Sequence, residues 1–245
     1  MRAYIINLDR APERWAHMKQ SFETTKIEPC RVSAVDGKEL SLPCNDFDER
    51  RFHLFHGRAT NIYEVACYLS HIKAMNTFLE TQEEYGLICE DDVFLKPDFE
   101  LLLEEAIKAS SSWNILRLTG LHPGKPLVVK KLTDAYELTV QMGRLKGAGA
   151  YLIDRKAAQV LVKKLLPMWL PWDHAIDREW FFGLRALSVK PFPISQTEEQ
   201  FQSAIQGNSK PKLSSWRRYL TTYPYQAMNE LSRWCFRATN IYKRN

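Results

Sequence analysis

The chain has 245 residues, of which 45% are hydrophobic and 12% aromatic, so it can bury a large core and is not a disordered polymer. No apolar run reaches the roughly 18 residues that a membrane-spanning helix needs. The five cysteines include no C-x-x-C pair, which excludes a disulfide framework and a structural zinc site as the expected organisation.

The first third of the chain alternates apolar strands with amphipathic segments. Residues 3–8 predict a buried strand, and a helix begins at Pro12, where proline is favoured. A short strand over 31–35 ends in the turn Asp36-Gly37. Residues 38–62 are polar and irregular, and they predict a long loop.

The next two elements lead to the most informative segment. Apolar residues recur at helical spacing over 64–82, and a buried strand follows over 86–89. This strand ends in three consecutive carboxylates, Glu90, Asp91 and Asp92. Adjacent acids repel one another, and open α/β sheets place their ligands at the carboxyl ends of strands. We therefore predict a site for a hard divalent cation and a diphosphate.

The rest of the chain continues the same alternation. The pattern predicts helices over 97–109, 155–166 and 173–184, strands over 114–118 and 187–192, short β segments near 127–129 and 138–140, and a small-residue turn at 147–150 that enters a strand. These elements predict an α/β fold with one mostly parallel central sheet over residues 1–206. The chain lacks a G-x-G-x-x-G fingerprint after the first strand and lacks a P-loop.

The C-terminal segment 207–245 differs from the body in charge. Eight lysines and arginines stand there against one acid, Glu230, although the net charge of the whole chain is only +5. Apolar residues recur between them at helical spacing, and basic amphipathic helices of this kind lie on anionic membranes. We predict a basic helical extension that docks on a membrane surface. A helix that packs on the domain with a solvated basic face is the alternative.

Five segments in order resemble one family, glycosyltransferase family 25, which includes bacterial lipooligosaccharide and lipopolysaccharide glycosyltransferases. The matching segments are Ile6-Asn7-Leu8-Asp9-Arg10 with Arg14, Ala34-Val35-Asp36-Gly37, Glu64 to His71, Glu90-Asp91-Asp92-Val93, and Gly149 to Ile153. The Pro171-Trp172-Asp173 turn is a looser match. Tyr63 and Ala66 stand where the family commonly has glycine, so the loop before the 64–82 helix departs from the pattern.

The resemblance implies a GT-A-like fold of Rossmann type and a nucleotide-diphosphate sugar donor, most commonly UDP-galactose. It also implies a divalent metal, Mn²⁺ or Mg²⁺, and inversion at the anomeric carbon. The acceptor expected from the family is a lipopolysaccharide or lipooligosaccharide core. The chain would then be a hexosyltransferase.

Alternation along an extended chain assigns different roles to the three acids. Glu90 and Asp92 share one face and Asp91 points to the other. We predict Asp92 as the principal metal ligand, with Glu90 as its partner or as a contact to the ribose or an arginine. A solvated acidic turn without a ligand is the alternative.

Candidate donor-binding residues surround the predicted nucleotide edge. Arginines could hold a phosphate through paired donors, and Asp36 could bind uridine or ribose, although a surface charge and a plain turn residue are the alternatives. The predicted set is Asn7, Arg10, Arg14, Asp36, His71, Glu90 and Asp91.

Inverting transfer also needs a base for the acceptor hydroxyl. Asp173 is the first candidate, because Trp172 beside it could stack on a sugar face. Asp177 is the second and His174 the third. The alternative for Asp173 is a helix N-cap.

Two other functions use the same residues. A metal-dependent phosphohydrolase would use the acid cluster, and a catalytically silent module would bind the nucleotide sugar without turnover. The basic tail lacks a nucleic-acid-binding motif, so we expect no nucleic acid partner. The first apolar segment is too short for a signal peptide, which predicts a cytoplasmic protein that is peripheral on the inner membrane.

Overall fold

The computed structural model describes residues 1–122, 124–196 and 211–242, with side chains described up to Thr239. The predicted domain boundary at 206/207 lies outside these residues and stays a prediction. The strands of the described part are β1 (Arg2–Asn7), β2 (Glu28–Ser33), β3 (Tyr85–Glu90), β4 (Val93–Leu95), β5 (Ile115–Arg117), β6 (Pro126–Lys131), β7 (Glu137–Gln141), β8 (Ala150–Asp154), β9 (Ala186–Lys190) and β10 (Ile194–Gln196).

Most of the helices lie close to their predicted places. The helices are α1 (Pro12–Phe22), α2 (Glu49–Phe55), α3 (Ile62–Leu79), α4 (Phe99–Lys108), α5 (Arg155–Lys164), α6 (Trp172–Ile176), α7 (Glu179–Phe182), α8 (Ser215–Leu220) and α9 (Thr222–Tyr242). The exceptions to the predicted places are α2, α6 and α7. Among these described elements, no helix is both long enough and apolar enough to cross a membrane.

One sheet forms the centre of the fold. Its eight strands follow the order β2-β1-β3-β8-β5-β9-β7-β6. Six strands run in the same direction, and only β8 and β7 run against them. The predicted α/β fold with a mostly parallel central sheet is therefore confirmed.

The helices cover both faces of this sheet. Side chains of α3, α5 and α6 pack on one face, and those of α1 and α4 pack on the other. The middle of β3 is accordingly buried on both sides, as its continuous apolar run requires. Each face has its own apolar core, and the sheet separates the two.

Two features of the strands determine where the predicted metal and nucleotide site lies. The carboxyl ends of β1, β2 and β3 meet at one edge because these strands are parallel. Beside that edge, β4 and β10 form a two-stranded antiparallel ribbon in which Gln196 pairs with Val93. The ribbon thus brings the side chain of Gln196 next to Asp92.

Two local predictions were wrong. The segment 38–62 is not only a loop, because Asp48 caps the helix α2 by accepting a hydrogen bond from the Arg51 amide at 2.9 Å. The predicted helix over 173–184 is split into α6 and α7, and Asp173 lies in the first turn of α6 instead of at its N-cap, which is Pro171.

Candidate active site

The three carboxylates at the end of β3 divide into one buried structural acid and one half-buried pair. Asp91 is buried, and its two oxygens accept hydrogen bonds from Asn7 Nδ2 at 2.7 Å and from Arg14 at 3.2 Å. Asn7 itself is fully buried and also bonds to Ala11 O and Arg31. This network connects the end of β1 to the end of β3, so Asn7, Arg14 and Asp91 have a structural role here.

Glu90 and Asp92 share the opposite face. The Nε2 atom of Gln196 donates to Glu90 Oε2 at 3.2 Å and to Asp92 Oδ1 at 3.1 Å. A Cβ atom on Gly149 would lie 2.3 Å from that Nε2 atom, so glycine leaves the room in which the amide reaches both acids. The small-residue turn before β8 therefore shapes this pair.

The pair carries more negative charge than its surroundings compensate. Burial, followed by the charge of Glu90, raises the pKa of Asp92 to about 7, although the hydrogen bond from Gln196 opposes this shift. Within the described residues, neither Glu90 nor Asp92 forms an ion pair with an arginine or lysine. Two hard oxygen donors on one face that share an amide, which can present its own oxygen by rotation, fit a divalent cation.

Glu90 also belongs to a second group of possible ligand atoms. Single donor atoms of Cys67, His71 and Glu90 lie within 4.8 Å of one another. His71 already hydrogen-bonds with Tyr151 Oη at 3.2 Å and with Glu90 at 3.3 Å, and it stacks on Trp172 with ring centroids 4.6 Å apart. Because both ring nitrogens are used, we interpret His71 as the residue that orients Glu90.

Arg10 and Asp36 form a pair at the ends of β1 and β2. Arg10 Nε donates to Asp36 Oδ2 at 2.6 Å, and Asp36 also accepts from the Lys38 amide. The hydrogen bond from Arg10 is the main cause that lowers the pKa of Asp36. The Arg10 side chain is 45% exposed and lies at the edge where a nucleotide was predicted.

Asp173 lies at the start of α6, on the side of α3 that carries Cys67. Its Oδ2 atom accepts from the Gly147 amide at 3.4 Å, in a loop where Gly147 has a φ of +79°. Burial acts to raise the pKa of Asp173, but the charge of His174, the Gly147 amide and the charges of Arg117 and Arg144 together keep it below its usual value. The Asp173 side chain is 26% exposed, so an acceptor hydroxyl can reach it.

Four acids act on one buried thiol, that of Cys67. Burial raises the pKa of this thiol, and the charges of Glu90, Asp173, Asp92 and Glu64 raise it further. Glu64, in the first turn of α3, has a pKa raised to about 6, mainly by burial. No binding or catalytic role was predicted for Glu64, although this residue begins one of the segments that resemble the family.

Asp177 is placed differently. One of its oxygens accepts from Arg237 at 2.9 Å, and the other is 3.2 Å from Arg233 and accepts from the Leu145 amide at 3.3 Å. The residue is 3% exposed. Because both oxygens are already paired, the geometry favours Asp173 over Asp177 as the base.

Comparison with known proteins identifies one family. The model of glycosyltransferase family 25, described as LPS biosynthesis proteins, matches residues 1–176. A glycosyltransferase 25 family member of Drosophila melanogaster is 35% identical over 230 residues, which cover 81% of this chain and 36% of that protein. Procollagen galactosyltransferase 1 of Danio rerio is 26% identical, with 79% of this chain and 36% of that protein covered.

Other similar proteins set the limits of this comparison. A Rattus norvegicus protein described as a probable inactive glycosyltransferase 25 family member 3 is 27% identical, over 79% of this chain and 38% of its own length. The chain therefore spans little more than a third of these relatives. The solved galactosyltransferase LgtC is similar over 69% of this chain and 63% of its own, with a TM-score of 0.38 and 15% identity.

Proposed function

This chain belongs to glycosyltransferase family 25, and we propose that it transfers a hexose from a UDP-sugar to a lipopolysaccharide or lipooligosaccharide core, with galactose as the first candidate for the hexose. One observation supports this most strongly. Glu90 and Asp92 lie on the same face at the carboxyl end of β3 without a cationic partner among the described residues, close enough to Asp173 for the charges of all three to act on Cys67.

In the proposed reaction, the Asp173 carboxylate takes the proton of the acceptor hydroxyl. The acceptor oxygen then bonds to the anomeric carbon as the bond from that carbon to the diphosphate breaks, with inversion, and UDP leaves. A divalent cation held by Glu90 and Asp92, with Mn²⁺ or Mg²⁺ as the candidates, would stabilise the charge of the leaving diphosphate. Gln196 and His71 hold the two acids in place.

The donor would extend from this pair towards Arg10 and Asp36. Arg10 offers paired donors for a phosphate and Asp36 offers an acceptor for ribose or uridine hydrogen bonds, so we assign both to the nucleotide. The hydrogen bonds of Asp91 with Asn7 and Arg14 hold the ends of β1 and β3 together beside this nucleotide site. Their effect on the donor would be indirect.

The test is a transfer assay with a panel of UDP-sugars, Mn²⁺ and a lipopolysaccharide core, in which both UDP release and product are measured. We expect Asp92→Asn and Asp173→Asn each to lower turnover by about 10²-fold or more. The matched control is Asp134→Asn, since that acid is exposed and lies far from the pair in the sequence. Undiminished turnover in Asp92→Asn would refute the metal assignment.

The same assay separates the two alternatives. A phosphohydrolase would release inorganic phosphate from simple phosphate esters without an acceptor. A silent module, the state suggested by the description of the Rattus relative, would bind the donor and produce no UDP with any acceptor. Either result contradicts the proposed transfer.

We also propose that α8 and α9 dock on an anionic membrane, although not in the predicted way. Arg233 and Arg237 point inward and are buried, which corrects the expectation that basic side chains would crowd around the apolar stripe. The exposed side is apolar, and we call it the apolar tail face. It consists of Trp216, Tyr219, Leu220, Tyr223, Met228, Leu231 and Trp234.

The basic side chains at one end of the apolar tail face favour an anionic membrane as its partner. Arg217 and Arg218 line a groove of about 510 Å³ together with Leu54, Leu213 and Trp216. Tryptophan and tyrosine favour the membrane–water interface, and basic side chains favour anionic head groups. A bilayer surface therefore fits both the apolar face and its basic end, with the protein peripheral on the inner membrane.

Vesicle flotation tests this docking. The full chain should bind vesicles that contain phosphatidylglycerol, and Leu231→Ser with Trp234→Ser should lower the bound fraction severalfold. Leu101→Ser is the matched control, because Leu101 is 57% exposed on α4, outside the apolar tail face. Equal binding of the double variant, or a dimer in light scattering that the double variant abolishes, would contradict the membrane role.

A further inference from the structure

A pocket beside the proposed base carries positive charge that the proposed reaction does not use. It has a volume of about 280 Å³ and lies between α6 and α9. Four cationic side chains contribute to its lining, Arg144, Lys146, Arg178 and Arg233, together with His174 and Tyr225. We call it the cationic pocket.

Within the described part of the chain, one of these cations is neutralised by acids. Arg233 forms ion pairs with Glu230 at 2.6 Å and with Asp177 at 3.2 Å, and Glu230 is the only acid among the described lining residues. Among the described residues, Arg144, Lys146 and Arg178 form no ion pair with a carboxylate. The pocket therefore keeps an excess of positive charge.

Arg178 is the cation of this pocket with the clearest unsatisfied donor among the described residues. It is 8% exposed, and its Nε atom has no hydrogen-bond partner among the described residues. The guanidinium group is fixed by ring faces, 4.6 Å from the Trp169 centroid and 4.8 Å from that of Phe181. Burial lowers the pKa of Arg178, and a buried cation without an anion is destabilising.

A second unsatisfied donor lies at the same place. The hydroxyl of Tyr225 is buried and has no hydrogen-bond partner of normal geometry among the described residues, and its ring centroid is 6.0 Å from the Arg178 guanidinium carbon. Buried polar groups in folded proteins almost always have partners. Two such groups in one pocket indicate donors arranged for a ligand with anionic oxygens.

The position of the pocket indicates which substrate would carry that anion. Arg144 donates to His174 at 3.0 Å, and His174 follows Asp173 directly. The predicted donor edge is elsewhere, at the ends of β1 and β2. We propose that the cationic pocket binds a phosphate or carboxylate group on the acceptor saccharide and so places its hydroxyl at Asp173. This inference rests on the proposed glycosyl transfer, but the binding itself can be measured without any donor.

Direct binding of simple sugars tests the proposal. Glucose 6-phosphate, glucuronic acid and glucose are titrated against the full chain at about 0.05 M salt, where screening is weak. We expect the two anionic sugars to bind at least about tenfold more tightly than glucose. The comparison of phosphate with carboxylate shows which of the two groups the pocket prefers.

Three variants locate the binding site. Arg178→Gln and Lys146→Gln should each weaken binding of the anionic sugars, Arg178→Gln by about tenfold or more. Lys146 is exposed, so its variant should fold even if Arg178→Gln does not. Lys164→Gln, an exposed lysine on α5, is the matched control and should leave binding unchanged.

Three results would overturn the proposal. The first is equal affinity for glucose and glucose 6-phosphate, and the second is anion binding that neither variant changes. The third is complete displacement of glucose 6-phosphate by UDP, because the anion would then occupy the donor site. Loss of transfer with anion binding intact would instead count against the proposed reaction and leave the cationic pocket standing.

Discussion

Two groups of buried or half-buried acids differ in what neutralises them. At the end of β3, Glu90 and Asp92 share only the amide of Gln196. In the second group, Asp177 and Glu179 are fully paired, since Arg237 donates to Glu179 at 2.5 and 2.9 Å and to Asp177 at 2.9 Å. We call them the open pair and the arginine-paired acids.

The difference separates function from structure. Acids that meet arginines from their own chain have their charge compensated, and they hold α9 onto the body of the protein. Acids without such partners repel each other until a cation from outside joins them. The same residue types thus act as a fastener in one place and as a ligand site in the other.

The largest predicted effect removes the cation of the arginine-paired acids. Arg237→Met should lower the free energy of unfolding by about 3–5 kcal/mol, because Glu179 would stay buried without a partner. Glu179 is 1% exposed, and burial already acts to raise its pKa against the effect of Arg237. Urea unfolding followed by circular dichroism measures the change.

Two controls accompany this variant. Arg217→Met changes an exposed arginine of α8 and should shift stability by less than about 0.5 kcal/mol. Combining Arg237→Met with Glu179→Leu should recover part of the loss, since no acid is then left unpaired at that position. If the single variant unfolds like the wild type, the ion pairs do not hold α9 as described.

A buried base without a counter-ion should make the stability of the protein depend on pH. His56 stacks edge-on with His174, with ring centroids 5.3 Å apart, and neither of its ring nitrogens has a described partner. Burial is the main cause that lowers its pKa to about 3, and the charges of His174, Arg58 and Arg144 add to it, whereas Asp173 opposes them.

The sign follows from the protons bound in each state. The unfolded chain takes up a proton near pH 6.5 and the folded chain does not until about pH 3, so the stability is complete above pH 6.5 and falls below it. At pH 5 the loss should be about 2 kcal/mol. His56→Gln should flatten the stability curve between pH 7.5 and 5, and His122→Gln, an exposed control, should leave its slope unchanged.

The sequence predicted the elements and the open pair better than it predicted the partners. The alternation expected of an extended chain separates Asp91 from Glu90 and Asp92, and the structure separates them in the same way, although Asp91 and Asp92 lie in the turn after β3. The alternation did not identify Gln196, which is more than a hundred residues away, as the residue that holds the pair.

The misplaced residues share one physical reason. Asp177 looks like a free acid in the sequence, and Arg233 and Arg237 look like a solvated basic face. Their ion pairs join residues 56 and 60 positions apart, which only the packing of α9 on α7 brings together. Local patterns specify helices and strands, whereas neutralisation of charge depends on contacts that no local pattern encodes.

The smallest predicted effect also tests the comparison most directly, because its sign is opposite to that of Arg237→Met. In metal-free buffer, Asp92→Asn should raise the free energy of unfolding by about 1 kcal/mol, since it removes one of two like charges that form no ion pair with a described arginine or lysine. The asparagine amide can still accept from Gln196, so the hydrogen bond at 3.1 Å need not be lost.

Added Mn²⁺ should stabilise the wild type and have little effect on the variant. Urea unfolding with and without Mn²⁺ measures both differences, and Asp134→Asn again serves as the control acid. If Asp92→Asn is destabilised in metal-free buffer as Arg237→Met should be, the open pair is a structural fastener as well, and the distinction between the two groups of acids fails.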